Sequence, residues 1–181
     1  MIFTLEEIIV IIVRIIGALP VLKFAFIGSI LAVLFDLSDL FIIGNLDLGG
    51  VNNYQNLDKI LDLFYMATFL IVSLRWNAKE RNISIALFVF RMVGFLLFEI
   101  TGNREILFFF PNVFEFWIIA IAFRKLIKKG QIINNRSLAY LFATSFVLKM
   151  LQEWLLHWNR FLDNYAMGDI LSVLKDIFTF L

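Results

Sequence analysis

Four aspartates in one polar stretch of the sequence have the types and spacing to hold a cation. Asp36 and Asp39 are three positions apart, and Asp58 and Asp62 are four positions apart. Residues at these spacings lie on one face of a helix, so each pair presents two carboxylates together. Close carboxylates repel one another unless protons or cations compensate them. Oxygen ligands without His or Cys suit Mg²⁺, Mn²⁺ or Ca²⁺, so the sequence predicts a divalent-cation site here. The alternative is that Lys59 and Arg75 neutralise part of the acidic charge.

The two aspartate pairs resemble part of the metal-binding motif of the CDP-alcohol phosphotransferases, which are small membrane enzymes that make phospholipids. Arg14 and Pro20 also look like the arginine-and-proline pattern near the N-terminus of that family. The resemblance covers at most the first 75 residues. It implies a metal-dependent transfer of a lipid head group, with the aspartates as metal ligands.

The sequence also departs from that motif. Leu40 and Tyr54 stand where the family has glycines, and Ile43 and Gly44 stand where it has Ala-Arg. The segment that precedes the first aspartate pair is one membrane span too short. The family's site is cytosolic, whereas the charge bias described below places these aspartates on the outer side.

Polar residues inside apolar segments form a second group of candidates. Such residues are costly in a membrane and usually face the protein interior or water. Arg91 and Glu115 are expected at similar depth on neighbouring helices, either as an ion pair that fixes packing or as a charged pocket for a substrate head group. The candidate ligand-binding residues are Arg91, Glu99, Asn112, Glu115 and Tyr65.

Other residues limit the possible chemistry. Lys149 and Glu153 are four positions apart and are predicted to pair on one helix face. The one histidine, His157, lies beside tryptophans at a span end, which is typical of a membrane interface. The absence of cysteine excludes disulfides and Cys-ligated metals, and the net charge of +1 makes nucleic acid an unsuitable partner.

The composition predicts an all-α fold in a lipid bilayer. Hydrophobic residues make up 61% of the 181 residues, and the mean hydropathy is +0.88. A soluble domain of this size cannot bury so much apolar surface. We therefore expect a polytopic integral membrane helical bundle that forms one domain over residues 1–181.

The apolar segments give the expected elements. Residues 1–19 are predicted to hold a short helix, over 5–18, that Pro20 ends, and residues 166–181 an amphipathic C-terminal helix. Five spans are predicted between them, over residues 20–35, 58–76, 82–101, 106–124 and 137–158. Residues 36–57 are predicted to be an acidic loop.

Two basic loops predict the orientation. Residues 75–81 and 124–136 are rich in Lys and Arg and are separated by two spans. The positive-inside rule places both in the cytoplasm and the acidic loop 36–57 outside. We expect the protein in the cytoplasmic membrane of a bacterium or an archaeon.

Three functions are compatible with these features. The first is a component that binds or transports a cation or a small solute through the acidic loop, which implies a homo-oligomer or a partner membrane subunit because five spans are few for a lone transporter. The second is the metal-dependent lipid head-group enzyme. The third is an accessory subunit of a membrane complex, since the 22 phenylalanines provide surface for a partner span.

Overall fold

The chain is all-helical wherever the structure describes it. The structure is a computed structural model that describes residues 4–46, 54–103, 105–128 and 131–154. Within them it is 87% helical with no strand, as the composition predicts. The elements are α1 (Leu5–Ala18), a 3-10 turn (Leu19–Leu22), α2 (Ala25–Leu46), α3 (Tyr54–Ser73), α4 (Ala78–Thr101), α5 (Glu105–Phe109), α6 (Val113–Ile127) and α7 (Asn135–Glu153). His157 and the predicted helix over 166–181 lie outside the described residues.

Helices α1 and α2 form a tight hairpin. Helix α1 covers the residues expected from the sequence and begins with a capping box, in which Thr4 and Glu7 satisfy each other's backbone N–H groups. It ends at the 3-10 turn that contains Pro20. Gly28 of α2 lies so close to the backbone of this turn that a Cβ atom would overlap it. This close approach lets α2 run back along α1.

The acidic stretch is more helical than the sequence predicts. Within the predicted loop 36–57, the described residues are helical: α2 continues to Leu46 and α3 begins at Tyr54. Residues 47–53 are not described. The correction has a simple reason. The apolar residues 40–43 extend the helical pattern, and no proline interrupts it before Leu46.

The predicted fourth span is two helices. Helix α5 ends at Phe109 and α6 begins at Val113, with Pro111 between them. Proline has no N–H group to donate and disfavours helical geometry in the residue before it. The chain therefore breaks here instead of continuing as one straight helix.

Helix α6 is the centre of the bundle. It packs against α2, α3, α4 and α7. Phe114, Trp117, Ile118 and Ile121 recur at helical spacing and are completely buried, together with Phe69 of α3. The Trp117 indole N–H donates to the Ser84 hydroxyl at 2.9 Å, which satisfies a buried polar group between α4 and α6.

Two stretches of the described residues are long and apolar enough to cross a membrane, Ala78–Thr101 and Glu105–Ile127. The five predicted spans are therefore not confirmed. Helix α3 is long enough, but it is not among these stretches because Asp58, Lys59 and Asp62 place three charged residues in its first half.

The bundle has two distinct ends. At the basic end, Lys125 pairs with Glu80 at 2.6 Å, and the Lys79 ammonium donates to the Asn135 side chain at 2.8 Å. At the opposite end, which we call the acidic end, Lys59 near the start of α3 pairs with Glu99 near the end of α4. The two basic segments of the sequence thus meet at one end of the fold.

Candidate functional site

Three of the predicted metal-binding aspartates converge on one arginine. The Arg14 guanidinium pairs with Asp36, and its Nη2 atom lies 3.2 Å from Asp58 Oδ1 and 2.8 Å from Asp62 Oδ1. The α1–α2 hairpin brings Arg14 beside Asp36, and the spacing of four places Asp58 and Asp62 on the face of α3 toward them. We call these four residues the Arg14 cluster.

The Arg14 cluster has the ligands that a metal ion needs, but a side-chain cation lies among them. One carboxylate oxygen from each aspartate lies within 4.8 Å of the others. The Arg14 side chain is only 4% exposed, whereas the three carboxylates are 29–37% exposed. The guanidinium therefore supplies the positive charge that a divalent cation was expected to supply. Asp39 lies in α2, but its side chain is outside the described residues.

A second group of polar side chains lies deeper in the bundle. The Tyr65 hydroxyl donates to Glu115 Oε2 at 3.2 Å. The Asn112 side-chain N–H group lies 3.1 Å from the Tyr65 oxygen and 3.3 Å from Glu115 Oε2. All three residues are at least nine-tenths buried. We call them the inner cluster, and it joins α3 to the start of α6.

The helix break at Pro111 forms the inner cluster. Asn112 immediately precedes α6 and Glu115 lies in its first turn, where a carboxylate is favoured by the positive end of the helix dipole. The break also frees the Phe110 carbonyl, which accepts a hydrogen bond from Arg91 Nη1 at 2.9 Å. Gly94, one turn along α4 from Arg91, leaves room for the Phe110 ring, because a Cβ there would overlap it.

The two clusters are continuous along α3. Asp58, Asp62 and Tyr65 lie on one face of this helix, and the charge of Asp62 interacts with Arg14, Arg91 and Glu115. A third group extends the series. Glu115 interacts with the charge of Lys149, which pairs with Glu153 at 2.9 Å, as the sequence predicts.

The inner cluster contains polar atoms that the described residues leave incompletely satisfied. The Asn112 side-chain oxygen is buried and accepts no hydrogen bond there. The Glu115 carboxylate has hydrogen-bond donors in Tyr65 and Asn112, but no direct ion pair in the described part of the chain. Buried oxygens of this kind are usually satisfied by water, an ion or a ligand.

Two sequence-based candidates lie outside both clusters. Glu99 is exposed and pairs with Lys59 at the acidic end, and no described hydrogen bond joins it to the inner cluster. Arg91 does not form the predicted direct ion pair with Glu115 in the described residues. It donates to the Phe110 carbonyl instead, because the break in the helix leaves that carbonyl available.

Sequence reasoning did not identify Arg14 as the centre of the acidic group. An arginine inside an apolar run of sequence suggests only snorkelling to the interface or a phosphate contact. Its hydrogen-bond partners Asp58 and Asp62 are 44 and 48 residues away. No local sequence pattern predicts a contact over this distance. The available signal was an arginine within an apolar run, upstream of four aspartates.

Comparisons of this chain with models of protein families, with curated proteins and with solved structures give no match. The chemistry of the site therefore has to be inferred from its own residues.

The Arg14 cluster gives a prediction about stability. Arg14→Gln removes the charge that separates three carboxylates, and we expect a lower unfolding temperature in detergent. The aspartate side chains are about one-third exposed. We therefore expect the free energy of unfolding to fall by no more than ~3 kcal/mol, the smallest loss typical of breaking a fully buried ion pair. Adding Asp36→Asn to this variant should restore part of the stability.

The matched control is Arg75→Gln, since Arg75 is exposed and its hydrogen bond within the described residues goes to the Leu22 carbonyl at the basic end. This variant should unfold close to the temperature of the unmodified chain. Equal unfolding temperatures for the Arg14→Gln variant and the unmodified chain would contradict the assignment of Arg14 as the compensating charge.

Proposed function

We propose that this chain is an integral membrane protein that binds a cation or a small cationic solute in the inner cluster, as a binding or transport component. The site would be reached from the acidic end through the Arg14 cluster. Tyr65, Asn112 and Glu115 would contact the ligand, and Asp58 and Asp62 would attract it by their charge.

One observation carries this proposal. A buried carboxylate, on Glu115, and a buried amide oxygen, on Asn112, lie together without a direct cationic partner in the described residues. Leaving a carboxylate at this depth without a full charge partner is costly. A bound cation would compensate the carboxylate and accept the free amide oxygen as a ligand. Oxygen donors of these two kinds are common ligands of hard cations.

Exposure along α3 falls between Asp62 and Tyr65, where the inner cluster begins. The side chains of Asp58 and Asp62 are 35% and 37% exposed, whereas Tyr65 is 6% exposed. Asp58 and Tyr65 are separated by about 10 Å along the helix axis. The face of α3 thus offers a path of acidic groups from solvent to the buried site, and such a path concentrates cations.

The path ends at an aromatic layer. Phe69, one turn beyond Tyr65, packs edge-on against it with 5.4 Å between ring centroids. Phe69 and Phe114 are completely buried, and Trp117 lies one turn further along α6. The buried hydroxyls described at this level, on Thr68 and Ser84, donate to backbone carbonyls of their own helices and form no charged continuation of the inner cluster. The geometry therefore supports a binding site open toward one end, rather than a continuous pore.

The membrane setting is supported by the outer surface of the bundle. In the most apolar 18-residue stretch of α4, only 11% of the residues are buried in the bundle. A core helix of a soluble protein would be largely covered. Large apolar side chains such as Ile60, Ile100 and Phe109 are 65–80% exposed. We propose that lipid covers this surface and that all five predicted spans lie in the bilayer.

The orientation follows from the two ends. The basic segments 75–81 and 124–136 meet at the basic end, and the positive-inside rule places that end in the cytoplasm. The acidic end, with the entrance to the site, would then face outward in a bacterial or archaeal membrane.

The ligand class can be tested by thermal unfolding of the purified protein at constant ionic strength. Na⁺, K⁺, Mg²⁺, Mn²⁺, Ca²⁺ and guanidinium would be compared, with choline as the balancing ion. We expect at least one to stabilise the fold, by about 2.7 kcal/mol when its concentration is a hundredfold above its Kd. Glu115→Gln should abolish this stabilisation because it removes the buried charge.

The control is Glu105→Gln, which removes an exposed carboxylate at the start of α5. This variant should keep the full cation response, and proteoliposomes should show uptake of the same ion that Glu115→Gln lacks. Two results would overturn the proposal: no response to any of these cations, or a response that survives Glu115→Gln.

The orientation can be tested by labelling a single cysteine. The chain has no cysteine, so Asn53→Cys provides one site in the stretch between α2 and α3. We expect a membrane-impermeant maleimide to label it in intact cells. Asn77→Cys, at the basic end between α3 and α4, should be labelled only after lysis. The reversed pattern would place the entrance in the cytoplasm.

The convergence of Asp36, Asp58 and Asp62 within 4.8 Å favours a second candidate, the metal-dependent transfer of a lipid head group. In this alternative a divalent cation would displace Arg14 from the carboxylates. It predicts lipid product formed from CDP-linked donors with Mg²⁺ or Mn²⁺, reduced at least tenfold by Asp62→Asn and retained by Glu105→Gln. If neither metal supports any product, this candidate is excluded.

A further inference from the structure

A cleft on the side of the bundle is not used by the proposed cation site. It has a volume of about 590 Å³ and lies between α4, α5 and α7, above the start of α6. Its walls include Leu87 and Phe90 of α4, Phe109 of α5, and Phe142 and Phe146 of α7. Every lining residue is apolar, and the volume is within the range of small-molecule sites.

The cleft exists because of the break at Pro111. Helices α4 and α7 both pack on α6, and the helical backbone is interrupted between the end of α5 and the start of α6. Pro111 and Val113 therefore form the floor of the cleft while Phe108 and Phe109 form one rim. The cleft is a product of the same local feature that builds the inner cluster.

One charged residue, Arg91, lies beside the cleft without being one of its lining residues. Arg91 follows the lining residue Phe90, and its guanidinium contacts the carbonyl of Phe110, which lies between the lining residues Phe109 and Pro111. Arg91 forms no direct ion pair with a carboxylate in the described part of the chain. Its described hydrogen bond uses one guanidinium N–H group on a neutral carbonyl. The charge of Arg91 also acts on Asp62 and Glu115, and its remaining N–H groups can donate to an anion.

An apolar cleft alone would not prefer a particular ligand over the surrounding lipid, because lipid tails are as apolar as the residues that line it. An arginine at its rim makes the cleft amphiphilic. We propose that it binds a long-chain fatty acid, with the aliphatic tail between α4 and α7 and the carboxylate on Arg91. A single chain fits the narrow space between two helices, and a carboxylate fits the planar guanidinium in two-point contact.

This site can be tested with palmitate that carries a photoreactive diazirine near the end of its chain. The full chain is purified in detergent, irradiated with the probe and mapped by mass spectrometry. We expect labelling of cleft residues such as Leu87, Phe142 and Phe146, and competition by unlabelled palmitate. Arg91→Gln should weaken competition by palmitate about tenfold, as expected for the loss of a charged hydrogen bond, but not competition by palmityl alcohol.

Two pairs of variants make the test specific. Ala86→Trp fills the cleft from α4 and should abolish cleft labelling, and Met150→Trp does the same from α7 if the first variant cannot be purified. Ala139→Trp is the matched control, since Ala139 is exposed on α7 and does not line the cleft. It should leave the labelling unchanged.

Three outcomes would overturn the inference. Labelling spread evenly over lipid-facing residues such as Val89 and Leu96, and insensitive to Ala86→Trp, would indicate surrounding lipid only. Equal loss of competition by palmitate and palmityl alcohol in Arg91→Gln would remove the role of the carboxylate. Absence of cleft labelling in the full chain would mean that something else covers the cleft. None of these outcomes depends on cation binding at the inner cluster.

Discussion

The position of Arg14 in an apolar bundle is the constraint on which the rest of the site depends. A guanidinium that is almost completely covered must have its charge compensated, and three aspartates from α2 and α3 do this. The arrangement fixes the α1–α2 hairpin against α3 and therefore fixes the face of α3 that looks into the bundle. Tyr65 points toward Glu115 because Asp62, one turn earlier, is held by Arg14.

The break at Pro111 is the second constraint, and both the inner cluster and the apolar cleft depend on it. On one side it exposes the first turn of α6, where Asn112 and Glu115 meet Tyr65. On the other side it opens the apolar cleft between α4 and α7. Arg91 lies between them and satisfies the carbonyl that the break frees. In the proposed bilayer setting, this non-helical backbone would be tolerated because a protein group satisfies it.

The sequence predicted what depends on composition and local spacing. The all-helical fold, the bounds of α1 and the pairing of Lys149 with Glu153 follow from apolar content, capping and the helical repeat. The sequence did not predict the partners of Arg14 or the displacement of Arg91 from Glu115 to the Phe110 carbonyl. Both depend on contacts between segments distant in the chain. The polar residues from Asp36 onward favour a loop, whereas α2 continues to Leu46 and includes Gly44 and Asn45, which often end helices.

The distribution of polar groups along the bundle bears on how such a site would work. The charged series runs from the acidic end to Tyr65 and Glu115, while Phe69, Phe114 and Trp117 fill the interior beyond them. A ligand that reaches Glu115 has therefore crossed only part of the bundle. Further passage would require these rings to separate, and α6 is the helix on which that movement would depend, because it carries Glu115, Phe114 and Trp117 within its first five residues. In the proposed function, compensation of Glu115 by a cation would therefore be coupled to repacking of the aromatic layer through one turn of α6. In this arrangement a site that binds from one end becomes a transport site only if occupancy of Glu115 alters how the start of α6 packs.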